Sequence, residues 1–270
     1  MFGKLNADNC ELFPLVLSSC DKCSDLWQPF FMLLKKYWPQ MDERIYLCTE
    51  TKRCHFDGLD ICSPLNMPAG STWSENLIKL LQYVKEDYLV FMLDDFWLKA
   101  PVNIQLLERC QQIMRTNADV GFICLVPQLE PSVENPLSEE FPGLIEYGRR
   151  TPYRVTTQAG LWRKDYLQRI LLSHESAWWF EMFGSKRSRR MPWRSFVVQT
   201  PVFQYDDGGV LYRGCYVSEY AKWFAENEGI ELTPGRRMGS KRTLQQEQTE
   251  MGLLQKLHPR YVYEYVRSHI

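Results

Sequence analysis

The chain has 270 residues, of which 45% are hydrophobic and 14% are aromatic. This is enough apolar material for one large core, alone or with a small appendage, and it excludes a disordered or fibrous protein. The formal net charge is -1 at pH 7, so the overall charge gives no reason to expect nucleic-acid binding.

The nine cysteines are an odd number, and several lie in apolar runs, as Cys48, Cys62 and Cys124 do. Buried free thiols in a reducing compartment explain this distribution better than a disulfide framework. Cys20 and Cys23 have CxxC spacing but no second pair, which argues against a zinc or redox site. The polar N-terminus resembles no signal peptide and no window is long enough to span a membrane, so we expect a soluble, cytoplasmic protein.

The first sixty residues alternate apolar and polar stretches in an order typical of an α/β domain. Apolar positions at helical spacing predict a helix that ends before Pro39, and short apolar runs on either side of it predict strands. The predicted elements are a strand at 12–18, a helix at 25–38, and strands at 44–49 and 59–62.

A loop rich in Pro and Gly leads into a second predicted helix, for which Thr72 or Ser74 is the expected N-cap. The helix precedes the run YLVFMLDDFWL at 88–98. The apolar part of this run is too short for a membrane span and lacks helical spacing. It therefore predicts a strand that is buried on both faces in a parallel sheet.

Asp94 and Asp95 stand where that strand ends. In open α/β sheets, ligands bind beyond the carboxyl ends of the strands. Two adjacent carboxylates repel each other and are costly to desolvate unless a cation, a basic partner or water compensates them. A divalent ion that also holds substrate phosphates would do so. The alternative is a polar turn that only stops the strand.

The rest of the chain continues the α/β pattern around one compositional break. Residues 127–152 are rich in Pro, Glu, Ser and Gly, and predict a long surface loop. The other predicted elements are helices at 101–114, 162–172 and 218–227, strands at 120–126, 155–161 and 196–202, an acidic aromatic helix or turn at 176–184, and a polar tail.

Four motifs in this order, TWSENLIKLL, VFMLDDFWL, TTQAGLW and ESAWWFE, resemble bacterial GT-A type glycosyltransferases of surface-polysaccharide biosynthesis. The resemblance covers roughly residues 12–232. It implies an α/β, GT-A-like (Rossmann-like) fold whose mixed, mainly parallel sheet is flanked by helices. This domain would occupy residues 1–235, and residues 236–270 would form a C-terminal helical extension.

The resemblance also implies an activity: transfer of a sugar from a nucleotide-diphosphate-sugar donor to a glycan or a lipid-linked acceptor. In such enzymes a short acidic motif at a strand end holds Mn or Mg against the diphosphate. Asp95 would then be the metal ligand, and Asp94 would contact the donor sugar, the ribose or the metal. The chain reads Leu93-Asp94-Asp95 without Asp-x-Asp spacing, and some relatives with a degenerate motif use basic residues instead.

The same resemblance suggests which residues act on the acceptor. An inverting transferase needs a carboxylate within reach of the acceptor hydroxyl, and Glu181 is the preferred candidate base, with Glu175 second. Gln158 would contact the acceptor, and Trp178 and Trp179 would stack on its sugar rings. The alternative for this stretch is an amphipathic aromatic turn with an ordinary surface glutamate.

Ser18, Ser19 and Asp21 follow the first strand, and the resemblance places them near the nucleotide, although any α/β protein has a polar loop there. Arg213 lies in the glycine-rich stretch GGVLYRG, where the backbone can approach a ligand closely. Its guanidinium suits a bidentate diphosphate contact, and a solvated arginine in a turn is the alternative.

A basic cluster with an aromatic residue inside follows the acidic aromatic stretch. It would contact an anionic acceptor or the headgroups of a membrane that carries the acceptor, at the inner face, or it is a solvated charged loop. Its members are Lys186, Arg187, Arg189, Arg190 and Arg194.

Two other functions stay open. The chain could be a GT-A-like module that binds sugar-nucleotides or serves as a scaffold without turnover. A nucleotidyltransferase is less favoured, since no Gly-rich phosphate-binding loop follows the first strand.

Overall fold

The structure is a computed structural model that describes residues 12–128 and 136–246. One half of its central sheet is parallel, as the buried apolar runs predicted. Strand β1 pairs in parallel with β2 and β4, and β2 pairs in parallel with β3. These strands are β1 (Leu15–Ser18), β2 (Ile45–Cys48), β3 (Ile61–Cys62) and β4 (Tyr88–Leu93).

The other half of the sheet is mixed. It contains β5 (Val120–Cys124), β6 (Leu144–Glu146), β7 (Gly160–Arg163) and β8 (Arg194–Val198). Strand β7 is antiparallel to both β4 and β5, β8 is parallel to β5, and β6 is antiparallel to β8. The strand order is β3-β2-β1-β4-β7-β5-β8-β6.

Helices cover both faces of this sheet. They are α1 (Trp27–Tyr37), which follows a 3-10 turn at Asp21–Leu26, α2 (Trp73–Leu81), α3 (Ile104–Thr116), α4 (Lys164–Ile170), α5 (Ala177–Trp179), α6 (Ser185–Ser188) and α7 (Ser218–Glu228). A π-helical turn, Phe180–Gly184, joins α5 to α6. Thr72 caps α2, and its side chain and that of Glu75 form a capping box.

Side chains of the buried strands alternate between the two apolar layers, as the pleat of a strand requires. Leu15 and Leu17 lie in a hydrophobic cluster with α1, whereas Val16 lies in a second cluster with α2. The predicted fold class is therefore confirmed: an α/β domain with a mixed sheet flanked by helices. In the described part of the chain, no helix is both long enough and apolar enough to cross a membrane.

Several predicted boundaries were wrong. The helix predicted at 162–172 begins at Lys164, because residues 162 and 163 belong to β7, and the strand predicted at 196–202 is β8 at Arg194–Val198. The strand predicted at 155–161 begins only at Gly160, because backbone N–H groups before it donate to side chains: Val155 N–H to Ser185 Oγ at 3.2 Å and Thr157 N–H to Glu181 Oε1 at 2.8 Å. The predicted loop at 127–152 contains the edge strand β6. Residues 129–135 of that loop lie outside the described residues.

A small second sheet was not predicted, because its strands are too short to show alternation. It consists of β9 (Leu211–Tyr212), β10 (Cys215–Val217) and β11 (Met238–Gly239). Strand β11 belongs to the stretch predicted as a C-terminal extension, of which residues 241–246 are helical. Residues 247–270 of that stretch lie outside the described residues.

Gly160 provides a test of the packing around β7. A Cβ atom at this position would lie 2.5 Å from Phe122 Cε2 and 3.2 Å from the Ile123 carbonyl oxygen. We expect Gly160→Ala to lower the free energy of unfolding by about 1–3 kcal/mol through overpacking, measured by urea denaturation. The control is Gly235→Asn, because Gly235 has open space around it and a φ of 82°, which Asn tolerates. Equal stability of the two variants would contradict the tight packing.

Candidate active site

The polar residues predicted at the ends of β1 and β4 do meet. Ser19 Oγ donates a hydrogen bond to Asp94 Oδ2 and accepts one from Trp27 Nε1 at 2.7 Å. Its neighbour Ser18 accepts a hydrogen bond from Trp73 Nε1 at 2.9 Å. Two indole N–H groups on different helices therefore hold the serines at the carboxyl edge of the sheet.

Asp94 and Asp95 form a carboxylate pair at this edge, in which Asp94 is buried and Asp95 is half-buried with a buried Oδ1. Burial raises the pKa of Asp94 well above its usual range, and the charge of Asp95 raises it further, while the Ser19 hydrogen bond opposes both. Burial raises the pKa of Asp95 to about 7. Among the described residues, no lysine or arginine forms an ion pair with either carboxylate. Without a cation the two groups therefore favour their protonated forms, and a divalent ion would bind in place of these protons.

The loop before β9 closes over Asp95. Val210 N–H donates to the Asp95 carbonyl oxygen at 2.8 Å. A Cβ atom on Gly209 would lie only 2.6 Å from Asp95 Oδ2, and Gly209 has a φ of 85°, so this position needs glycine on two counts. The glycine-rich stretch approaches the carboxylate itself, where the sequence suggested an approach to a ligand.

The carboxylate pair fits a divalent ion only in part. Asp95 Oδ1 is buried without a hydrogen-bond partner, so this oxygen is free to be a metal ligand. In residues 12–128 and 136–246, however, no group of three or more His, Cys, Asp or Glu side chains could hold a metal. Mg²⁺ is commonly bound through one or two carboxylates with substrate phosphates and water. The pair therefore fits such an ion together with a diphosphate.

Asp21 is engaged in the loop that follows β2. Its carboxylate accepts hydrogen bonds at 2.6 Å from the hydroxyls of both Thr49 and Thr51, and others from the N–H groups of Thr51 and Lys52. Burial opposes ionisation, but these hydrogen bonds outweigh it and lower the pKa of Asp21. Asp21 therefore shapes this loop with its carboxylate.

Glu50 is a site residue that sequence reasoning missed. Its Oε2 accepts from the N–H of Asp21 at 2.5 Å, and its Oε1 accepts from Asn76 Nδ2 at 3.3 Å. Glu50 follows the parallel strand β2 just as Asp94 follows β4. Ligands bind beyond the carboxyl ends of the strands in open α/β sheets, so a search for polar residues after every predicted parallel strand would have found Glu50.

The antiparallel direction of β7 brings a second set of predicted residues to the same edge. Gly160 pairs with Phe91 of β4, so the segment that precedes β7 lies beside the end of β4. Thr156 and Thr157 in this segment bind Glu181 Oε1 through hydroxyl and N–H donors at 2.7–2.8 Å. Glu181 is thereby fixed on the π-helical turn, a feature that is frequent at functional sites.

Glu181 borders a cavity of about 600 Å³. Gln158 borders it too, and its Oε1 accepts a hydrogen bond from the Tyr205 hydroxyl at 2.8 Å. Tyr205 in turn stacks on Phe96, the residue after Asp95, with ring centroids 4.3 Å apart. A continuous chain of contacts therefore links the carboxylate pair to the cavity wall.

The aromatic residues of this cavity are not the predicted ones. Trp178 is exposed, Trp179 is partly exposed, and neither borders the cavity. The aromatic lining comes instead from Tyr147, Tyr153, Phe203 and Tyr205. Tyr147 lies in the stretch predicted as a surface loop, Tyr153 directly follows it, and the other two lie in the loop after β8, where the sequence shows no regular apolar spacing.

Glu175, the second candidate base, has a different environment. It is fully buried, it pairs with Arg187 Nη2 at 2.6 Å, and its backbone bonds to Ser74 of α2. Burial raises the pKa of Glu175, and the charge of Arg187 partly opposes this. Glu175 therefore anchors the loop before α5 and does not border the cavity.

Two members of the basic cluster, Arg187 and Arg194, are held by contacts within the protein. Arg187 also donates to the Ile170 carbonyl oxygen, and Arg194 pairs with Glu140 and Glu146 at 2.7 Å each. Arg190 is exposed. The guanidinium groups of Arg187 and Arg194 therefore make structural contacts within the fold, and the membrane contact through Lys186, Arg189 and Arg190 stays a prediction.

The diphosphate contact of Arg213 also stays a prediction. Arg213 is exposed in the β9–β10 turn and has a φ of 51°.

No protein-family model and no curated protein sequence matches the chain. Similar solved structures include S. aureus TarS 1-349 in complex with UDP, at 12% identity and a TM-score of 0.49, covering 73% of this chain and 60% of that chain. Another is the galactosyltransferase LgtC in complex with donor and acceptor sugar analogs, at 12% identity and a TM-score of 0.34, covering 58% of this chain and 59% of that chain. A third is CMP:2-keto-3-deoxy-manno-octonic acid synthetase in complex with CTP, at 10% identity and a TM-score of 0.41, covering 73% of this chain and 93% of that chain.

At these scores the likenesses carry no argument about function. The chain spans about 60% of the TarS chain with which it was compared. The functional proposal rests on the site.

The anchoring role of Glu175 can be tested by stability. Arg187→Leu would leave a buried carboxylate without its charged partner, and we expect it to lower the free energy of unfolding by about 3–5 kcal/mol. Glu175→Gln should cost less, because the amide oxygen still accepts from Arg187, whose side chain is 22% exposed. Urea denaturation of both variants measures this order. If Arg187→Leu proved no more destabilising than Glu175→Gln, the ion pair would not be the anchor.

Proposed function

We propose that the protein is a glycosyltransferase that moves a sugar from a nucleotide-diphosphate-sugar donor to a hydroxyl of a glycan or lipid-linked acceptor. One observation carries this proposal: a carboxylate pair without a basic partner among the described residues and a positioned carboxylate at a cavity share one edge of the sheet. The contacts from Phe96 through Tyr205 to Gln158 join the two places. Transfer from an anionic donor to a neutral hydroxyl needs one place that binds the donor and a second that positions the hydroxyl and accepts its proton.

The donor is proposed to bind at the ends of β1 and β4. Ser18 and Ser19 would face the nucleoside, with Glu50 beside them. Asp94 and Asp95 would hold Mn²⁺ or Mg²⁺ against the diphosphate, and the unpartnered Oδ1 of Asp95 supports this. When bound, such an ion offsets the negative charge that develops on the leaving nucleoside diphosphate.

Glu181 is proposed as the general base. The acceptor hydroxyl attacks the anomeric carbon, its proton passes to Glu181, and the bond between that carbon and the diphosphate oxygen breaks, which inverts the configuration. Three hydrogen bonds from Thr156 and Thr157 hold the carboxylate in place, and such positioning is what proton transfer requires. The free thiols of the described cysteines support the cytoplasmic location expected for this reaction.

Turnover and binding, measured side by side, test the proposal. A panel of UDP-, GDP- and CMP-sugars is screened by thermal shift, since a ligand that binds only the folded state raises its stability. With the donor found in this way, we expect Glu181→Gln to reduce turnover by about 10²- to 10⁴-fold and to leave donor affinity by calorimetry unchanged. Glu226→Gln, a change of an exposed glutamate on α7, is the matched control.

Two results would contradict the proposal in different ways. Full activity of Glu181→Gln would remove this residue from the chemistry. Donor binding without any turnover in the wild-type protein, across acceptors and in the presence of Mn²⁺ or Mg²⁺, would favour a binding or scaffold module.

A further inference from the structure

Cys20 and Cys23 come together in the first turn after β1, although their spacing in the sequence argues against a redox site. Cys23 N–H donates to the Cys20 carbonyl oxygen at 2.9 Å and closes this turn, which opens the 3-10 helix at Asp21–Leu26. A turn of this kind brings the Cα atoms of its first and last residues within about 7 Å of each other. Disulfides span Cα separations of about 4.4–6.8 Å. The backbone therefore has close to the geometry that a bridge requires.

The two thiol groups also contact each other. A hydrogen bond with the Cys23 thiol lowers the pKa of Cys20 to about 7, although burial and the charge of Glu50 oppose ionisation. The same contact and burial raise the pKa of Cys23, on which the charges of Asp94 and Arg236 act in opposite directions. Since the thiolate is the reactive form of cysteine, Cys20 is the nucleophile of the pair and Cys23 is the thiol that keeps its proton.

The pair is both accessible and held in place. Both thiols are partly exposed, so a small disulfide can reach them. The backbone on either side of Cys20 is bonded to residues at the end of β2 or just after it. Ser19 N–H donates to the Cys48 carbonyl oxygen at 2.9 Å, and Asp21 N–H donates to Glu50 Oε2 at 2.5 Å. Groups that a fold holds close together react with each other more readily than the same groups on a flexible chain.

From these observations we propose that Cys20 and Cys23 are a redox-active dithiol, which forms a reversible disulfide by exchange with a low-molecular-weight disulfide such as glutathione disulfide. Disulfides of cytosolic proteins are usually transient and often sense the redox state, which agrees with the free thiols of both residues here. The dithiol is independent of the proposed glycosyltransferase activity. It lies at the same edge of the sheet, because Cys20 directly follows Ser19.

The exchange has two steps. The Cys20 thiolate attacks one sulfur of glutathione disulfide, the S–S bond of that molecule breaks, and one glutathione leaves as its thiolate. Cys23 then gives up its proton, and its sulfur attacks Cys20 Sγ and displaces the second glutathione as a thiolate. The two cysteines are thereby oxidised to one disulfide. One glutathione disulfide is reduced to two glutathione molecules, which take up the two protons that the cysteines release.

The direct test is equilibration of the full-length protein in glutathione buffers of defined redox state, once folded and once in urea. Free thiols are trapped by alkylation, and mass spectrometry locates the disulfides. We expect the bridge between Cys20 and Cys23 to form reversibly, with an equilibrium constant at least 10-fold larger in the folded protein than in urea. A smaller ratio, or pairing of Cys20 with a different cysteine, would overturn the inference.

Single variants test the roles of the two thiols. Cys23→Ser should retain one glutathione on Cys20, because no second thiol displaces it. Cys20→Ser should abolish the bridge, and Cys23 in this variant should take up glutathione at least 10-fold more slowly than Cys20 does in Cys23→Ser at pH 7. The matched control is Cys62→Ser, a change of a partly exposed cysteine on β3, which should leave bridge formation unchanged. Equal rates of glutathione uptake in the first two variants would contradict the assignment of Cys20 as the nucleophile.

Discussion

The enclosure of two adjacent carboxylates at the end of β4, Asp94 buried and Asp95 half-buried, is the constraint on which the rest of the site depends. Neither Asp94 nor Asp95 has a cationic partner among the described residues, and burial raises the pKa of both. The fold nevertheless encloses them: the Trp27–Ser19 chain contacts Asp94 on one side, and the Gly209 backbone closes over Asp95 on the other. A divalent cation that arrives with an anionic ligand would replace the protons that these carboxyl groups otherwise hold.

The reversal of strand direction at β7 determines what lies next to that pair. Because β7 runs antiparallel to β4, the residues just before Gly160 reach the carboxyl edge of the parallel strands. Thr156 and Thr157 therefore lie where they can fix Glu181, and Gln158 lies where it contacts Tyr205. The antiparallel direction of β7 thus brings the Glu181 carboxylate to the same edge as the carboxylate pair, with the stacked rings of Phe96 and Tyr205 between them. In the proposed function, the donor and the acceptor would occupy these two different places.

Local sequence patterns were sufficient for the parallel half of the sheet and insufficient for the site. The run before Asp94 and the cap at Thr72 could be predicted because their signals are contained in about ten residues. Glu175 and Glu181 could not be ranked in this way, since both flank the same aromatic residues, and only the tertiary contact of Glu175 with Arg187 separates them. The cavity lining was missed because Tyr147 and Tyr205 come from irregular segments whose burial depends on β7 and β8. Trp178 has an aromatic face but lies on the exterior.

The central claim is that the carboxyl ends of β1 and β4 bind a nucleoside diphosphate, and 5-fluorotryptophan NMR tests it most directly. Trp27 and Trp73 donate to the two serines at that edge, whereas Trp38 and Trp162 lie in the core, and single Trp→Phe variants assign the four signals. The protein is titrated with UDP, GDP and CDP in the presence of Mg²⁺. The account predicts that one nucleotide shifts the Trp27 and Trp73 signals in a saturable way and leaves those of Trp38 and Trp162 in place. Saturable binding of a nucleotide that leaves both Trp27 and Trp73 unshifted, or no binding of any of the three, would contradict it.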